Sequence, residues 1–336
     1  MISVILPHTM SHYSSKIALL SGAIDFAGMF PPASLDLNAT LQKAASFRAT
    51  AKHPWLLNRL VLSLAEVKKL EPRFLYDCGG NGAPWNISVL GTPCVSSSEK
   101  DFIKGFDWDF REIRRIQERY YHSSARLDLL AYEIKLPDTI TAPGQAITSG
   151  EFIFPALEQV ETIWPGEMDV YFEVSLEGAW EETLEGVTRI LSEWLSENTE
   201  SPVLPALKIR TGGKYVPRPE QVARAIDECA ANGVKIKVTQ GMHHPITHSG
   251  EFGFVNFFTA VNFAFASGSQ EFTLKDIENC LRSENPKDFI FSESALSWCG
   301  RELSNEKIES ARKVHAAVLG SCSLDEPDQF LLKEFP

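Results

Sequence analysis

Two segments, Leu204-Pro-Ala-Leu-Lys-Ile-Arg-Thr-Gly-Gly213 and Val234-Lys-Ile-Lys-Val-Thr-Gln-Gly-Met-His-His244, carry the pattern from which the fold is read. Each is a short run of alternating side chains that ends in glycine. Between them, Pro219 to Gly233 places Val222, Ala223, Ile226, Cys229 and Ala230 at helical spacing and closes on Asn232-Gly233, a helix C-terminal signal. The whole is a strand-helix-strand unit, so its two strands are expected to be parallel neighbours joined by a right-handed crossover.

Side chains alternate faces along a strand. Lys208 and Arg210 therefore share one face opposite Leu207 and Ile209, and Lys235, Lys237 and Thr239 share one opposite Val234, Ile236 and Val238. Strands of a parallel sheet covered on both sides are normally apolar on both faces. One face of this unit must look into a polar space.

Working outward, the same alternation recurs. Strands are expected at Gly22–Gly28, Arg59–Leu64, Trp85–Leu90, Leu129–Leu136 and Asp169–Ser175, with helices at Leu37–Ala49, Ala65–Leu70, Glu99–Tyr121, Phe154–Ile163 and Ala179–Glu197. Seven strand-helix steps without a domain-sized linker point to an α/β fold, a single (β/α)8 TIM-type barrel spanning residues 1–336. Residues 1–20 read as an N-terminal cover and 321–336 as a C-terminal tail without regular pattern. The eighth strand is expected at Phe289-Ile-Phe291, after the apolar helix Phe252–Ala266 and a helix Leu274–Arg282 capped by Thr273. The last helix is expected to start near Ser304, run to Leu319 and end at Gly320.

Composition bounds the function. The chain is 44% apolar and 23% charged, as a globular protein with a core should be, and its net charge of −12 argues against nucleic acid as a partner. Phe252–Ala266 is too short to cross a bilayer, which takes about 20 residues. Six scattered cysteines without a C-x-x-C pair, and a start lacking a signal peptide, are expected of a cytoplasmic protein with reduced thiols. A homo-oligomer is compatible with the sequence.

In a barrel, inward residues near the strand C-termini line the active site. The inward set is Asp25, Glu133, Lys135, Glu173, Lys208, Arg210, Lys235 and Lys237, three carboxylates against five cations. One reading makes Lys237 or Lys208 a Schiff-base nucleophile, kept neutral by neighbouring cations, with Glu133, Glu173 or Asp25 moving protons. Another has the cations, Thr239 and the backbone of Arg210-Thr211-Gly212-Gly213 hold the phosphate or carboxylate of a small anionic metabolite while a carboxylate or His243 transfers a proton. The bland alternative is an internal salt-bridge network. No cofactor is called for. His243, His244 and His248 with Asp25 or Glu133 form the alternative of a metal-dependent hydrolase or isomerase, but no H-x-H or H-E-x-x-H spacing supports it, and no metal is expected. Cys322 or Ser321 is a candidate nucleophile, against the simpler reading of a helix C-cap at Gly320 followed by a Ser/Asp turn. Gly79-Gly-Asn-Gly82 reads as a loop.

The blocks Lys208-Ile-Arg-Thr-Gly-Gly213, Lys237-Val-Thr-Gln-Gly-Met-His-His-Pro245 and Gly320-Ser-Cys-Ser-Leu-Asp-Glu-Pro327 resemble those of an uncharacterised family of bacterial proteins of similar length, a likeness that covers mainly the C-terminal half and implies no particular activity. More loosely, the placing of Lys237 and Lys208 on late strands is similar to that in class I aldolases of the deoxyribose-phosphate aldolase type. That likeness, at the level of fold, implies a lyase or aldolase using a lysine Schiff base.

Overall fold

Eight parallel strands close on themselves in the computed structural model, which describes residues 14–79, 83–93, 99–121, 123, 125–137, 150–267, 271–315 and 317–336. The barrel strands in chain order are β1 (Ile24–Phe26), β2 (Leu57–Ser63), β3 (Trp85–Leu90), β4 (Leu127–Lys135), β5 (Met168–Glu173), β6 (Val203–Arg210), β7 (Lys235–Thr239) and, after a small separate sheet, β11 (Val318–Ser321). β11 pairs with both β7 and β1 and so closes the ring. The chain is an α/β protein with the (β/α)8 TIM-type architecture.

Helices are interleaved as the crossovers require: α1 (Ser15–Leu20), α2 (Leu37–Thr50), α3 (Leu64–Val67), α4 (Pro72–Gly79), α5 (Glu99–Tyr120), α6 (Gly150–Ile163), α7 (Trp180–Glu197), α8 (Pro219–Asn232), α9 (Phe254–Ser267), α10 (Leu274–Arg282), α11 (Asn305–His315) and α12 (Asp325–Glu334). Local chemistry sets several of their ends. The Asp36 carboxylate accepts from the Ala39 amide at 2.7 Å, Thr273 forms a capping box with Asp276, and Gly233 takes the left-handed conformation (φ 66°) that ends α8.

The main core lies between the strands and this helical ring. Leu207, Ile209, Ile236, Val238, Val170 and Phe172 project outward from β5, β6 and β7 and are fully buried. On α5, Phe102, Phe106 and Phe110 follow at i, i+4 and i+8, and the ring of Phe106 stacks on Phe172 at 6.2 Å and meets Tyr132 of β4 edge-on at 5.0 Å. The inward face carries the charged side chains, with a thin apolar band where Ala131, Tyr171 and Ala206 meet.

The eighth strand lies elsewhere than the alternation suggests. Phe289–Phe291 is a strand (β8), but it pairs antiparallel with β9 (Ala295–Trp298), which pairs with β10 (Arg301–Ser304), in a separate three-stranded sheet. Gly320 lies within β11 rather than after a helix, and the 321–336 tail contains α12. The misreading has a simple cause: Ile308, Ala311, Val314 and Val318 continue helical spacing straight through the end of α11 into the strand. Residues 1–13 of the expected N-terminal cover, 80–82 of the expected glycine loop and the connection 138–149 lie outside the described residues.

The loops after β6 and β7 pack backbone against backbone. A Cβ on Gly212 would stand 3.0 Å from the Gly241 Cα, and one on Gly241, at φ 79°, would stand 3.0 Å from the Thr211 carbonyl oxygen. Neither neighbour is a side chain that can swing away. Gly241→Ala should therefore cost roughly 2 kcal/mol from overpacking and left-handed strain together, read as a lowered midpoint in urea unfolding; a midpoint equal to the wild type's would refute this packing.

Candidate functional site

Six charged side chains from five strands form one alternating chain inside the upper half of the barrel. Asp25 on β1 accepts from Lys237 on β7; the Lys237 Nζ also donates to Glu133 Oε1 on β4 at 2.8 Å. The other oxygen of Glu133 lies 2.9 Å from the Lys208 Nζ on β6, which in turn lies 2.8 Å from Glu173 Oε2 on β5. The Nε of Arg210 donates to Glu173 Oε1 at 2.7 Å. The order is anion, cation, anion, cation, anion, cation.

Two neutral groups complete it: Asn58 donates to Asp25 Oδ1 at 2.9 Å and Ser88 to Glu133 Oε1 at 2.5 Å. Burial deepens along the chain from Arg210, whose side chain is 54% exposed, to Lys237 at 1% and Asp25 at 0%. Strand alternation explains the gathering, because each of these residues is an inward position and the register sets Glu173, Lys208 and Lys237 side by side.

The charge states follow from the contacts. Burial by itself would push the Glu133 carboxyl up, but the ammonium groups of Lys208 and Lys237 and the Ser88 hydroxyl outweigh it and hold the group well below the usual carboxylate range. Glu173 is likewise lowered, burial being overcome by Lys208 and Arg210. Lys208 moves the other way, since Glu133 and Glu173 more than offset the desolvation that would lower it. The expected interior excess of positive charge is corrected here: Asp25, Glu133 and Glu173 balance Lys237, Lys208 and Arg210 one for one. Each lysine amine is screened from the next by a carboxylate rather than kept neutral by a neighbouring cation.

Two of the expected cations are elsewhere. Lys235 sits at the N-terminal end of the barrel, 2.8 Å from Asp169 Oδ1, where Arg59 contacts Asp169 Oδ2 at 2.6 Å. Burial would raise the Asp169 carboxyl, but Arg59 and Lys235 outweigh it and bring it to about 2. This floor cluster lies below the band of Ala131, Tyr171 and Ala206, away from the mouth. Lys135, at the C-terminal end of β4, is exposed. Thr211 is a brace, its hydroxyl donating to the Gln240 carbonyl at 2.5 Å and its amide to the Thr239 carbonyl at 2.9 Å. Gly212 serves the close backbone approach described above.

Above the ion chain the barrel opens into a cavity of about 610 Å3. Glu133, Lys208, Lys237 and Arg210 face it from below, Phe30, Pro31, Pro32, Val61 and Leu90 wall one side, and Thr239, Gln240, Gly241, Met242, His243, Gly320, Ser321 and Cys322 the other. A second cavity of about 550 Å3 shares Arg210, Gly213 and Gln240 with it and brings Lys135 and Lys214 to its wall beside Glu173 and Glu177. The Arg210 guanidinium thus stands between the two.

On the rim, the Cys322 Sγ lies 3.8 Å from His243 Nε2, while His243 Nδ1 lies 2.8 Å from Glu326 Oε2. The second contact has the length of a hydrogen bond but not its angle, so Glu326 holds the ring by charge. The Cys322 contact raises the His243 pKa, burial lowers it and Glu326 raises it, with a net upward shift. Cys322 and His243 come together because β11 and β7 are neighbours and both residues follow a strand end. Had Val318–Ser321 been recognised as the eighth strand, Cys322 would have stood at an active-site position of the sequence. Ser321 is less available: its hydroxyl donates to the Ser323 carbonyl at 2.8 Å and accepts from the Ser323 amide at 3.2 Å.

The expected alternative ligand set of His243, His244 and His248 with Asp25 or Glu133 is taken apart. Asp25 and Glu133 are committed to Lys237, and His243 faces Cys322. His244 and His248 lie instead with Glu251, ligand atoms within 4.8 Å, where the His244 ring stacks on Phe330 at 4.1 Å and meets His248 at a tilt at 4.2 Å. Among the described residues no helix is long and apolar enough to cross a membrane. Compared with protein-family models and with curated proteins, the chain matches none.

Removing Glu133 takes one of two carboxylate partners from each of two buried ammonium groups at once. Glu133→Gln is expected to cost about 3–5 kcal/mol, measured by chemical unfolding at neutral pH, and a loss below about 1 kcal/mol would show that the lysines find other partners. The sign of the pH dependence is also set. Carboxylates depressed in the folded state contribute stability that is present above their ordinary value of 4.5 and is lost as pH falls, while Lys208, raised in the folded state, contributes stability that is present below 10.5 and is lost as pH rises past it. Unfolding free energy should form a plateau between those values and decline on both sides; a maximum confined to acid pH would contradict the ion chain.

Proposed function

We propose that the protein is an enzyme acting on a small anionic metabolite with a reactive carbonyl, through a Schiff base on the lysine pair, with Lys237 as the lead amine. The observation that carries this reading is the Lys237 Nζ at the base of the 610 Å3 cavity with two carboxylates within hydrogen-bonding reach. Attack on a carbonyl requires the amine to lose a proton, and the carbinolamine that forms must lose water. In this reading Asp25 and Glu133, both hydrogen-bonded to the amine, take that proton and return one to the departing hydroxyl. Glu133, shared with Lys208, offers a route for charge to be redistributed to the second amine when the first becomes an iminium ion. Asp25 is anchored by Asn58 and Glu133 by Ser88, so both carboxylates are held in position.

Arg210 is the natural partner for the anionic end of the substrate. It gives one N–H to Glu173, is half exposed, and borders both cavities, the second of which adds Lys135 and Lys214. A carboxylate or phosphate placed there would leave a carbonyl several bonds away pointing down toward the lysines. Thr239 supplies a hydroxyl on the same wall. The cationic second cavity also favours the plainer reading of a barrel that binds an anion without turning it over.

Incubation with a panel of aldehydes and 2-keto acids followed by borohydride should fix a covalent adduct on the peptide holding Lys237, or on that holding Lys208 if it is the amine used. Lys237→Met should reduce turnover by at least about 10²-fold, the scale expected when a positioned catalytic group is lost. An unlabelled protein across the panel, combined with thermal stabilisation by inorganic phosphate or keto acids that vanishes in Arg210→Ala, would instead support the binding-only barrel.

A further inference from the structure

A thiol borders the same cavity apart from the lysine chain. Cys322, His243 and Glu326 stand in a row, Sγ to Nε2 at 3.8 Å and Nδ1 to Oε2 at 2.8 Å, the second a charge contact without hydrogen-bond geometry. Three elements converge to build it, since His243 follows β7, Cys322 is the residue after β11, and Glu326 is in the first turn of α12. The Ser321–Ser323 turn holds the backbone on either side of Cys322. Cys322 and His243 both border the 610 Å3 cavity, and Cys322 is half-buried, which leaves the sulfur within reach of a small molecule. The other described cysteines lack such a setting: Cys229 and Cys280 are buried, and for Cys78 and Cys299 the described contacts show no histidine partner.

We propose that Cys322 is a nucleophile activated by His243 and that it takes the acyl group of an activated ester or thioester of a small acid. His243 Nε2 removes the thiol proton, and the resulting imidazolium is balanced by Glu326. The sulfur forms a bond to the acyl carbon while the carbonyl pair moves onto oxygen. Collapse of that intermediate breaks the bond to the alcohol or thiol, which leaves with the proton held by His243, and an S-acyl enzyme remains. Water attacks the acyl carbon next, giving its proton to His243; the C–S bond breaks, the free acid departs and the thiol is restored. No oxidant, reductant or metal is needed.

The test uses the full-length protein and p-nitrophenyl acetate, with iodoacetamide as a probe of the thiol. At neutral pH and limiting iodoacetamide, Cys322 should be alkylated at least tenfold faster than the exposed Cys299. That advantage should disappear in His243→Gln and shrink in Glu326→Gln, with both variants first shown by thermal unfolding to be folded. Mixing wild-type protein with the ester should release a burst of p-nitrophenol close to one equivalent and place an acetyl group on the Cys322 peptide, and Cys322→Ser should lose the burst. Alkylation of Cys322 no faster than of Cys299, an advantage that survives His243→Gln, or a burst without acetyl on Cys322 would each overturn the proposal. The borohydride adduct sits on a lysine peptide and the acetyl on the Cys322 peptide, so digestion of the wild-type protein separates failure of this proposal from failure of the Schiff-base reading.

Discussion

A buried ammonium is tolerable only when its charge is answered at once, and the interior of this barrel is arranged around that constraint. Desolvating a lone lysine or carboxylate costs several kcal/mol, whereas an alternating chain lets each interior charge sit between two of opposite sign. Lys237 has Asp25 and Glu133; Glu133 has Lys237 and Lys208; Lys208 has Glu133 and Glu173. Because the partners come from β1, β4, β5, β6 and β7, the chain also ties together strands that are not neighbours. Register, closure and charge state are in this sense one problem, since slipping any of these strands by a single residue would turn its charged side chain into the apolar layer under the helices.

The barrel solves the same problem twice. At its N-terminal end Arg59 and Lys235 share Asp169, and the band of Ala131, Tyr171 and Ala206 separates that cluster from the upper chain. The lower cluster lies at the end of the barrel that serves stability in this fold, and the upper one opens onto a cavity of metabolite size. The same residue types therefore carry different meanings by depth. The ring of Tyr171 marks the boundary, its face 5.1 Å from the Lys237 Nζ above and its hydroxyl 3.4 Å from Asp169 below.

Much of this was legible in the sequence because a strand reports its own facing. Alternation in Lys208-Ile-Arg210 and Lys235-Ile-Lys237 identified the inward cations, and the same rule brought in Asp25, Glu133 and Glu173 before any contact was known. Alternation says nothing about height along the barrel axis, and the structure departs from the expected site on that point. Lys235 and Lys237 share a face yet stand at different levels, one on the floor cluster and the other under the mouth. Depth depends on the stagger between strands, a property of the closed ring and not of any one segment. The expected excess of positive charge dissolves for the same reason, since Lys235 belongs to the floor cluster with Asp169 and Lys135 is exposed at the strand end.

The thiol, histidine and carboxylate on the rim illustrate a different limit. His243 and Cys322 are 79 positions apart, and only the closure of the ring by β11 makes them neighbours. A four-residue strand containing glycine, reached directly from a helix whose apolar spacing does not break, carries little local signal. With Phe289–Phe291 in the eighth place, Gly320 reads as a helix end and Cys322 as part of a tail. The displaced eighth strand thus conceals the approach of His243 to Cys322 as well as an element. In a closed barrel the last strand decides which two loops meet at the seam, and here the seam is where β7 and β11 bring an imidazole beside a sulfur.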